Sequence, residues 1–241
     1  MRTHLCIGSF SLLSTVLQAT VPPPGGARAA GLAHATVALA DLWSLADNPA
    51  GAARMERAFV ALLHQRHWLA HELSAQAIAV GIPTRYGTWG AVHHDFGFPL
   101  YRERTTGLVY AKAFGEGLRI GMRFDLTAIR FGDVYGTHRL TTAQLGMQAR
   151  LAKDLWLGAH LNNPGRARMP GPYDERAPTI LRAGLAYTFN DAVTTLLEVE
   201  KDIDRPQRVH FGIEYRPSRA LYLRTGWVSG PAQVAFGVGL H

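Results

Sequence analysis

The chain has 241 residues, enough for one or two domains, and carries a formal net charge of +7 although only 18% of its residues are charged. Mean hydropathy is −0.02, the balance expected where apolar and polar residues alternate finely. The arginines are scattered along the chain, not gathered in a run, which argues against nucleic acid; anionic lipid head groups or lipopolysaccharide at a membrane surface would serve equally well as the anionic partner.

Residues 1–20 read as a signal peptide. Arg2 and His4 form a short polar start, the stretch 5–17 is apolar apart from small hydroxyls, and Leu17-Gln18-Ala19 offers a cleavage site. Such a core is too short to span a bilayer as a helix. Cys6, the single cysteine, would leave with it, so no disulfide or thiol chemistry is expected in the mature chain.

Residues 21–56 form a small-residue-rich segment. Within it, 29–45 reads as one or two short helices, with Leu39, Leu42, Trp43 and Leu45 as the apolar positions. Asn48, Pro49, Ala50 and Gly51 follow as a turn, since proline disfavours helical geometry at the residue before it. Alone, the segment buries too little apolar surface to fold.

From residue 57 to 241 the period is two. Leu118, Ile120, Met122, Phe124 and Leu126 share one face, and Arg119, Gly121, Arg123, Asp125 and Thr127 the other. Twelve such runs are expected, at 58–65, 73–83, 87–98, 105–115, 117–131, 139–153, 155–162, 178–189, 192–201, 207–216, 220–228 and 232–241. Several reach the length of about 9–11 residues that a tilted strand needs to cross a bilayer. Short connections alternate with longer ones (66–72, 99–104, 132–138, 163–177 and 202–206), the asymmetry of periplasmic turns and extracellular loops.

A soluble β-sandwich also alternates. Strand length, turn asymmetry and aromatics near strand ends (Trp89, Tyr101, Phe131, Trp156, Tyr187, Phe189, Tyr215, Trp227) favour an all-β, antiparallel transmembrane β-barrel of about twelve strands, filled by a short helical plug. A cation facing lipid at mid-membrane costs about 2–4 kcal/mol. The polar groups of the clear strands accordingly fall on the other, lumen-facing side: Arg119, Arg123, Asp125, Gln148, Arg150, Arg182, Glu198, Glu200, His210 and Glu214. They are expected to pair across strands and stiffen a packed lumen.

No enzyme, cofactor or metal site is expected. His64, His67 and His71 straddle a strand end and its loop, and no HExxH pattern occurs. His93 and His94 are strand neighbours that point to opposite faces, beside Asp95. The few serines do not adjoin a histidine in sequence, which leaves a rim-located hydrolase as an alternative without a motif.

The strings at 26–28, 37–41 and 48–51, followed by a strand series, resemble the FadL-type outer-membrane barrels and in particular the PorV/PorQ-like family. That resemblance implies a plug inside the barrel and an outer-membrane location in a Gram-negative bacterium. It also implies either an accessory role in type IX secretion, contacting secreted cargo or secretion-system proteins, or passive transport of hydrophobic small molecules. Asn48, Pro49, Ala50 and Gly51 then read as the hinge between plug and barrel. Such barrels usually have about fourteen strands, so a chain shortened by one C-terminal hairpin is expected in preference to a smaller closed barrel.

Overall fold

The alternating runs become twelve strands, in a computed structural model that describes residues 25–66, 70, 72–132, 136–168 and 176–240. They are β1 (Phe59–Arg66), β2 (Ser74–Thr84), β3 (Gly87–Phe98), β4 (Tyr101–Phe114), β5 (Leu118–Phe131) and β6 (Thr137–Ala152). The second half comprises β7 (Leu155–Asn162), β8 (Ile180–Phe189), β9 (Val193–Asp202), β10 (Arg208–Tyr215), β11 (Leu221–Val228) and β12 (Gln233–Leu240). All lie in one antiparallel sheet in chain order. The expected signal peptide, His67 and His71 lie outside the described residues.

One face of the sheet carries Phe124, Leu126, Leu145, Leu181, Leu197 and Phe236, all exposed. Water would not tolerate so large an apolar surface, and a bilayer accommodates it. The other face closes around the segment 25–54. Helix α1 (Gly26–Gly31) packs on β11 and β12, and two 3₁₀ helices, Leu42–Leu45 and Pro49–Arg54, pack on β1–β3 and β3–β6 respectively. Among the described residues no helix is long and apolar enough to cross a membrane.

The plug differs from the expected pair of helices over 29–45. The chain between α1 and Asp41 runs through turns, and both later helices are 3₁₀ helices set by local capping. Asp41 accepts from the Trp43 amide while the Ser44 hydroxyl accepts from the Asp41 amide, a reciprocal capping box. Asn48 caps the next helix through the Ala50 amide, and Pro49 occupies its first position, where its missing N–H costs nothing. The Asn-Pro-Ala-Gly string thus starts a 3₁₀ helix.

Backbone meets backbone where plug and wall touch. Four glycine pairs stand opposite each other across hairpins, Gly81 with Gly90, Gly121 with Gly146, Gly158 with Gly184 and Gly212 with Gly226. A Cβ on Gly158 would lie 2.3 Å from the Val37 carbonyl oxygen, and one on Gly121 would lie 2.4 Å from the Pro49 carbonyl carbon. These positions break the side-chain alternation so that the plug can lie against bare wall.

One further expectation changes. The connection expected over 99–104 shrinks to residues 99–100, because β4 pairs with β3 as far as Tyr101 opposite Phe98. Of the aromatics near strand ends, Tyr101, Phe131 and Trp156 fall on the inward side, whereas Trp89, Tyr187, Phe189, Tyr215 and Trp227 are exposed on the outward face.

Gly158→Val should force the plug off the wall. Overpacking of this kind costs about 1–3 kcal/mol, so the melting temperature falls and trypsin gains access to plug arginines in an otherwise folded barrel. Gly117→Val, where a Cβ meets no atom within 4 Å, should change neither the melt nor the digest.

Candidate functional site

The lumen is filled by a polar clamp that holds the plug by its backbone. On β8 and β9, Arg182 and Glu198 form a buried ion pair, Nε to Oε1 at 2.5 Å. The second carboxylate oxygen of Glu198 accepts from the amides of Thr36 and Val37, each at 2.8 Å. Arg182 also donates to the His34 carbonyl (3.2 Å) and the Thr36 hydroxyl (3.1 Å), and lies 3.8 Å from Asp47. One strand pair therefore satisfies plug donors and acceptors together.

A second clamp stands across the lumen. Arg123 on β5 pairs with Asp125 at 2.9 Å and donates to the carbonyls of Leu45 (3.0 Å) and Ala46 (2.8 Å). These are carbonyls at the end of the first 3₁₀ helix, where acceptors lack intrahelical partners. Gln148 on β6 reaches the Leu39 carbonyl at 2.6 Å and the Val37 carbonyl at 3.2 Å. Asn48 is fully buried, and its amide group donates to Val37 at 2.7 Å and to Met147 and Ala159 in the wall at 3.3 Å. Pro49, Ala50 and Gly51 are buried beside it.

The remaining inward groups divide by height. His210 meets the Ala33 carbonyl at 2.6 Å. Glu214 binds Arg28 of α1 at 2.7 Å and Arg224 of β11 at 2.6 Å, and Arg28 also reaches Asp41 at 3.2 Å. Glu200 pairs with Arg208. Arg119 stacks over Trp156 at 3.8 Å and donates to Gln148, while Arg150 sits exposed near the short-turn end, 3.6 Å from Glu116. Within the plug, burial holds the His34 imidazole down at about 4, helped by Arg182, and pushes the Asp47 carboxyl up to about 6 against the pull of Arg182.

Sequence reasoning missed part of this network. Gln144 donates to Asp125 at 2.7 Å and meets His160 at 2.8 Å, and Arg28 and Arg224 hold Glu214 between them. Gln144 and Arg224 were visible as polar residues on the lumen-facing side of their strands. The role of Arg28 was not, because α1 has no pattern of its own. His93 bonds Thr106, His94 is buried on the inward face, and Asp95 pairs with Arg102 and Arg104, so these three form no joint site. Among the described residues no group of three or more His, Cys, Asp or Glu could hold a metal ion.

Two further features complete the lumen. At the long-loop end, Phe96, Tyr101, Phe131 and His138 form a ladder of edge-on rings across β3–β6, with centroids 5.4–6.3 Å apart. At the sheet's two outer strands, β1 pairs only with β2 and β12 only with β11 among the described residues. Between them lies a cavity of about 280 Å³, lined by Gly26, Ala27, Ala30 and Gly31 of α1, Leu63–Gln65 of β1 and Phe236–Val238 of β12.

The chain shares its fold with outer-membrane β-barrels. Similar solved structures include the CymD monoaromatic hydrocarbon channel, at 12% identity and a TM-score of 0.63, covering 90% of this chain and 88% of that one. The toluene transporter TodX of Pseudomonas putida matches at 12% identity and a TM-score of 0.62, covering 88% of each chain. A TodX mutant, described as a monoaromatic hydrocarbon channel, matches at 13% identity and 0.62, covering 89% of this chain and 84% of that one. No family model matches, and no curated protein matches.

The clamp yields a graded stability prediction. Glu198→Leu leaves Arg182 buried without its partner and two plug amides unsatisfied, and should cost about 3–5 kcal/mol. Glu116→Leu, at a carboxylate that is 94% exposed, should leave stability nearly unchanged. Urea unfolding in lipid vesicles, followed by tryptophan fluorescence, measures both.

Proposed function

We propose that this protein is a non-enzymatic barrel of the Gram-negative outer membrane that passes small hydrophobic molecules, in the manner of FadL-like transporters. The carrying observation is the mainly apolar cavity at the seam between β1 and β12, against the small residues of α1. The clamps engage most of the charged groups of the lumen, which leaves a water-filled channel through the plug level little polar lining. At the seam, by contrast, Ala, Leu, Phe and Val side chains and bare glycines supply most of the lining, with His64 and Gln65 as its two polar members, a mainly apolar wall with few polar groups that suits a small hydrophobic molecule. The aromatic ladder at the long-loop end offers the same chemistry. The likeness in fold to hydrocarbon channels supports this reading.

A second reading, an accessory barrel of type IX secretion of the PorV/PorQ kind, draws support from the connection 163–179. Its base is built: Asn163 donates to the Ala177 carbonyl at 2.8 Å and accepts from the Ala167 amide at 2.9 Å, and Arg168 bridges Arg176. With Arg166 nearby, the connection would present cationic residues to a secreted cargo or a secretion-system protein.

Proteoliposomes loaded by diffusion of a labelled monoaromatic hydrocarbon test the first reading. The protein should accelerate uptake, and Leu63→Trp, which fills the seam cavity, should slow it by about tenfold with an unchanged melt. Uptake no faster than in protein-free liposomes overturns it. The second reading predicts that a membrane pull-down captures secreted cargo or a secretion component and loses it when residues 164–176 are replaced by a short glycine-serine linker. Recovery of neither from the unaltered protein overturns it.

A further inference from the structure

Among the described residues, every carboxylate in the strands but one holds an arginine. Asp95 pairs with Arg102 and Arg104, Asp125 with Arg123 and Glu198 with Arg182. Glu200 pairs with Arg208, Asp202 with Arg205, and Glu214 with Arg28 and Arg224. Glu103 of β4 is the exception. One of its oxygens, Oε2, accepts from the Tyr101 hydroxyl at 3.3 Å, and no described cation meets it.

The registers set this carboxylate among rings. Glu103 stands opposite Phe96 of β3 on one side and Ile129 of β5 on the other, and His138 of β6 follows in the same row. In the next row towards the long loops, Tyr101 stands opposite Phe131. Their rings meet edge-on with centroids 5.4 Å apart, and Phe96 meets Tyr101 in the same way at 6.3 Å. Glu103, Tyr101 and Phe131 are half-buried on the inward face, so each keeps some surface open to the lumen. All three lie on the long-loop side of the clamp. From Val109, which stands opposite the plug-holding Arg123, to Glu103 is about 20 Å along the strand.

A carboxylate held between rings without a counter-ion is costly, and one phenol hydroxyl offsets only part of that cost. A positive charge brought to its free oxygen, Oε1, would offset the rest. The surroundings say which kind of cation suits. A hard metal ion takes several oxygen ligands. Beside Glu103 the wall supplies the Tyr101 hydroxyl and otherwise carbon, from Phe96, Ile129 and Phe131, while the hydroxyls of Thr105 and Thr127 in the row below bond each other at 3.0 Å. An organic ammonium ion matches this wall better. It brings its charge to the carboxylate and its carbon to the rings, whose faces attract cations through their quadrupole.

We infer that Glu103, Tyr101 and Phe131 form a binding site for a small organic ammonium ion at the long-loop end of the lumen, with Phe96 and His138 extending its aromatic wall. The site is separate from the seam cavity lined by α1, β1 and β12, and it does not depend on what passes there. Rings alone would take a neutral hydrocarbon as readily as a cation. The unpaired carboxylate among them is what selects for charge.

Equilibrium dialysis of radiolabelled benzyltrimethylammonium against the full chain in a non-ionic detergent tests the site, with protein-free micelles as the reference. The unaltered protein should bind this cation about tenfold more tightly than neopentylbenzene, its uncharged carbon isostere. Glu103→Gln keeps the shape and an acceptor for the Tyr101 hydroxyl, and should weaken cation binding about tenfold while leaving the isostere unaffected. Phe131→Leu should weaken cation binding about threefold. Glu116→Gln, in the turn after β4, should leave it unchanged. Because Gln brings no charge to desolvate, the Glu103→Gln melt should not fall; should that variant fail to fold, the preference of the unaltered protein for cation over isostere and the Phe131→Leu loss decide instead. Undiminished cation binding by folded Glu103→Gln overturns the site, and equal affinity for cation and isostere overturns charge as what it recognises. Displacement by an equal concentration of calcium chloride overturns the organic cation as its occupant. Cation binding without hydrocarbon uptake leaves this site standing and overturns the transport reading, and uptake without cation binding does the reverse.

Discussion

The arrangement of this lumen turns on the carboxylate of Glu198. One oxygen holds Arg182, and the other holds the consecutive amides of Thr36 and Val37. A buried ion pair alone is a weak source of stability, since desolvation consumes most of its attraction. Here both members carry additional bonds to plug backbone, to groups that would otherwise be unsatisfied within the lumen. The pair therefore acts chiefly as a positioning device. It fixes where the chain between α1 and the first 3₁₀ helix crosses the barrel, and Gln148, Asn48 and Arg123 can reach their carbonyls only once that crossing is set.

The glycine pairs are the complement of the clamp. Side chains of Arg182, Arg123 and Gln148 extend into the lumen to grip the plug, and at neighbouring inward positions the wall removes side chains altogether so that the plug can come within their reach. Gly146 shows the coupling most directly. A Cβ there would lie 2.0 Å from Asn48 Oδ1, the atom that caps the Pro49–Arg54 helix. Wall composition and plug conformation are thus one constraint, and neither the polar ring nor the bare ring would be useful without the other.

This division explains how far the sequence could be read. Period-two alternation along Leu118–Phe131 or Leu155–Asn162 is a local property, forced by the opposite solvents on the two faces, so the strands were legible to within a few residues. The start of β4 was not, because Tyr101 and Glu103 are held in strand by register with Phe98 and Phe96, a pairing that no local pattern announces. The lumen-facing side was legible as a set, including Arg123, Arg182, Glu198 and Glu214, but the expected cross-strand pairing captured only half of their bonding. Their plug partners are backbone carbonyls and amides, which every residue carries and which no sequence marks. The 3₁₀ helices escaped for the opposite reason: their capping residues Asp41 and Asn48 were in plain view, but the apolar spacing of Leu39, Leu42, Trp43 and Leu45 imitated a longer α-helix.

The distribution of bonds around the barrel also bears on where it could yield. Between β5 and β10 the plug is tied by ion pairs and by hydrogen bonds to buried partners. At the seam, α1 meets β12 through Gly31 against Gly237, two residues with no side chains, and its polar tie is Arg28 to Glu214 and Asp41, away from the cavity. Strand edges without partners are costly in lipid, and α1 covers them from the lumen side only. Opening the polar half would strand buried charges, whereas displacing α1 from the seam exchanges mainly apolar contacts, beside His64 and Gln65, for similar contacts with an apolar molecule. Any passage through a barrel built this way would follow the side where the interactions being broken and made are chemically alike, and the seam is that side.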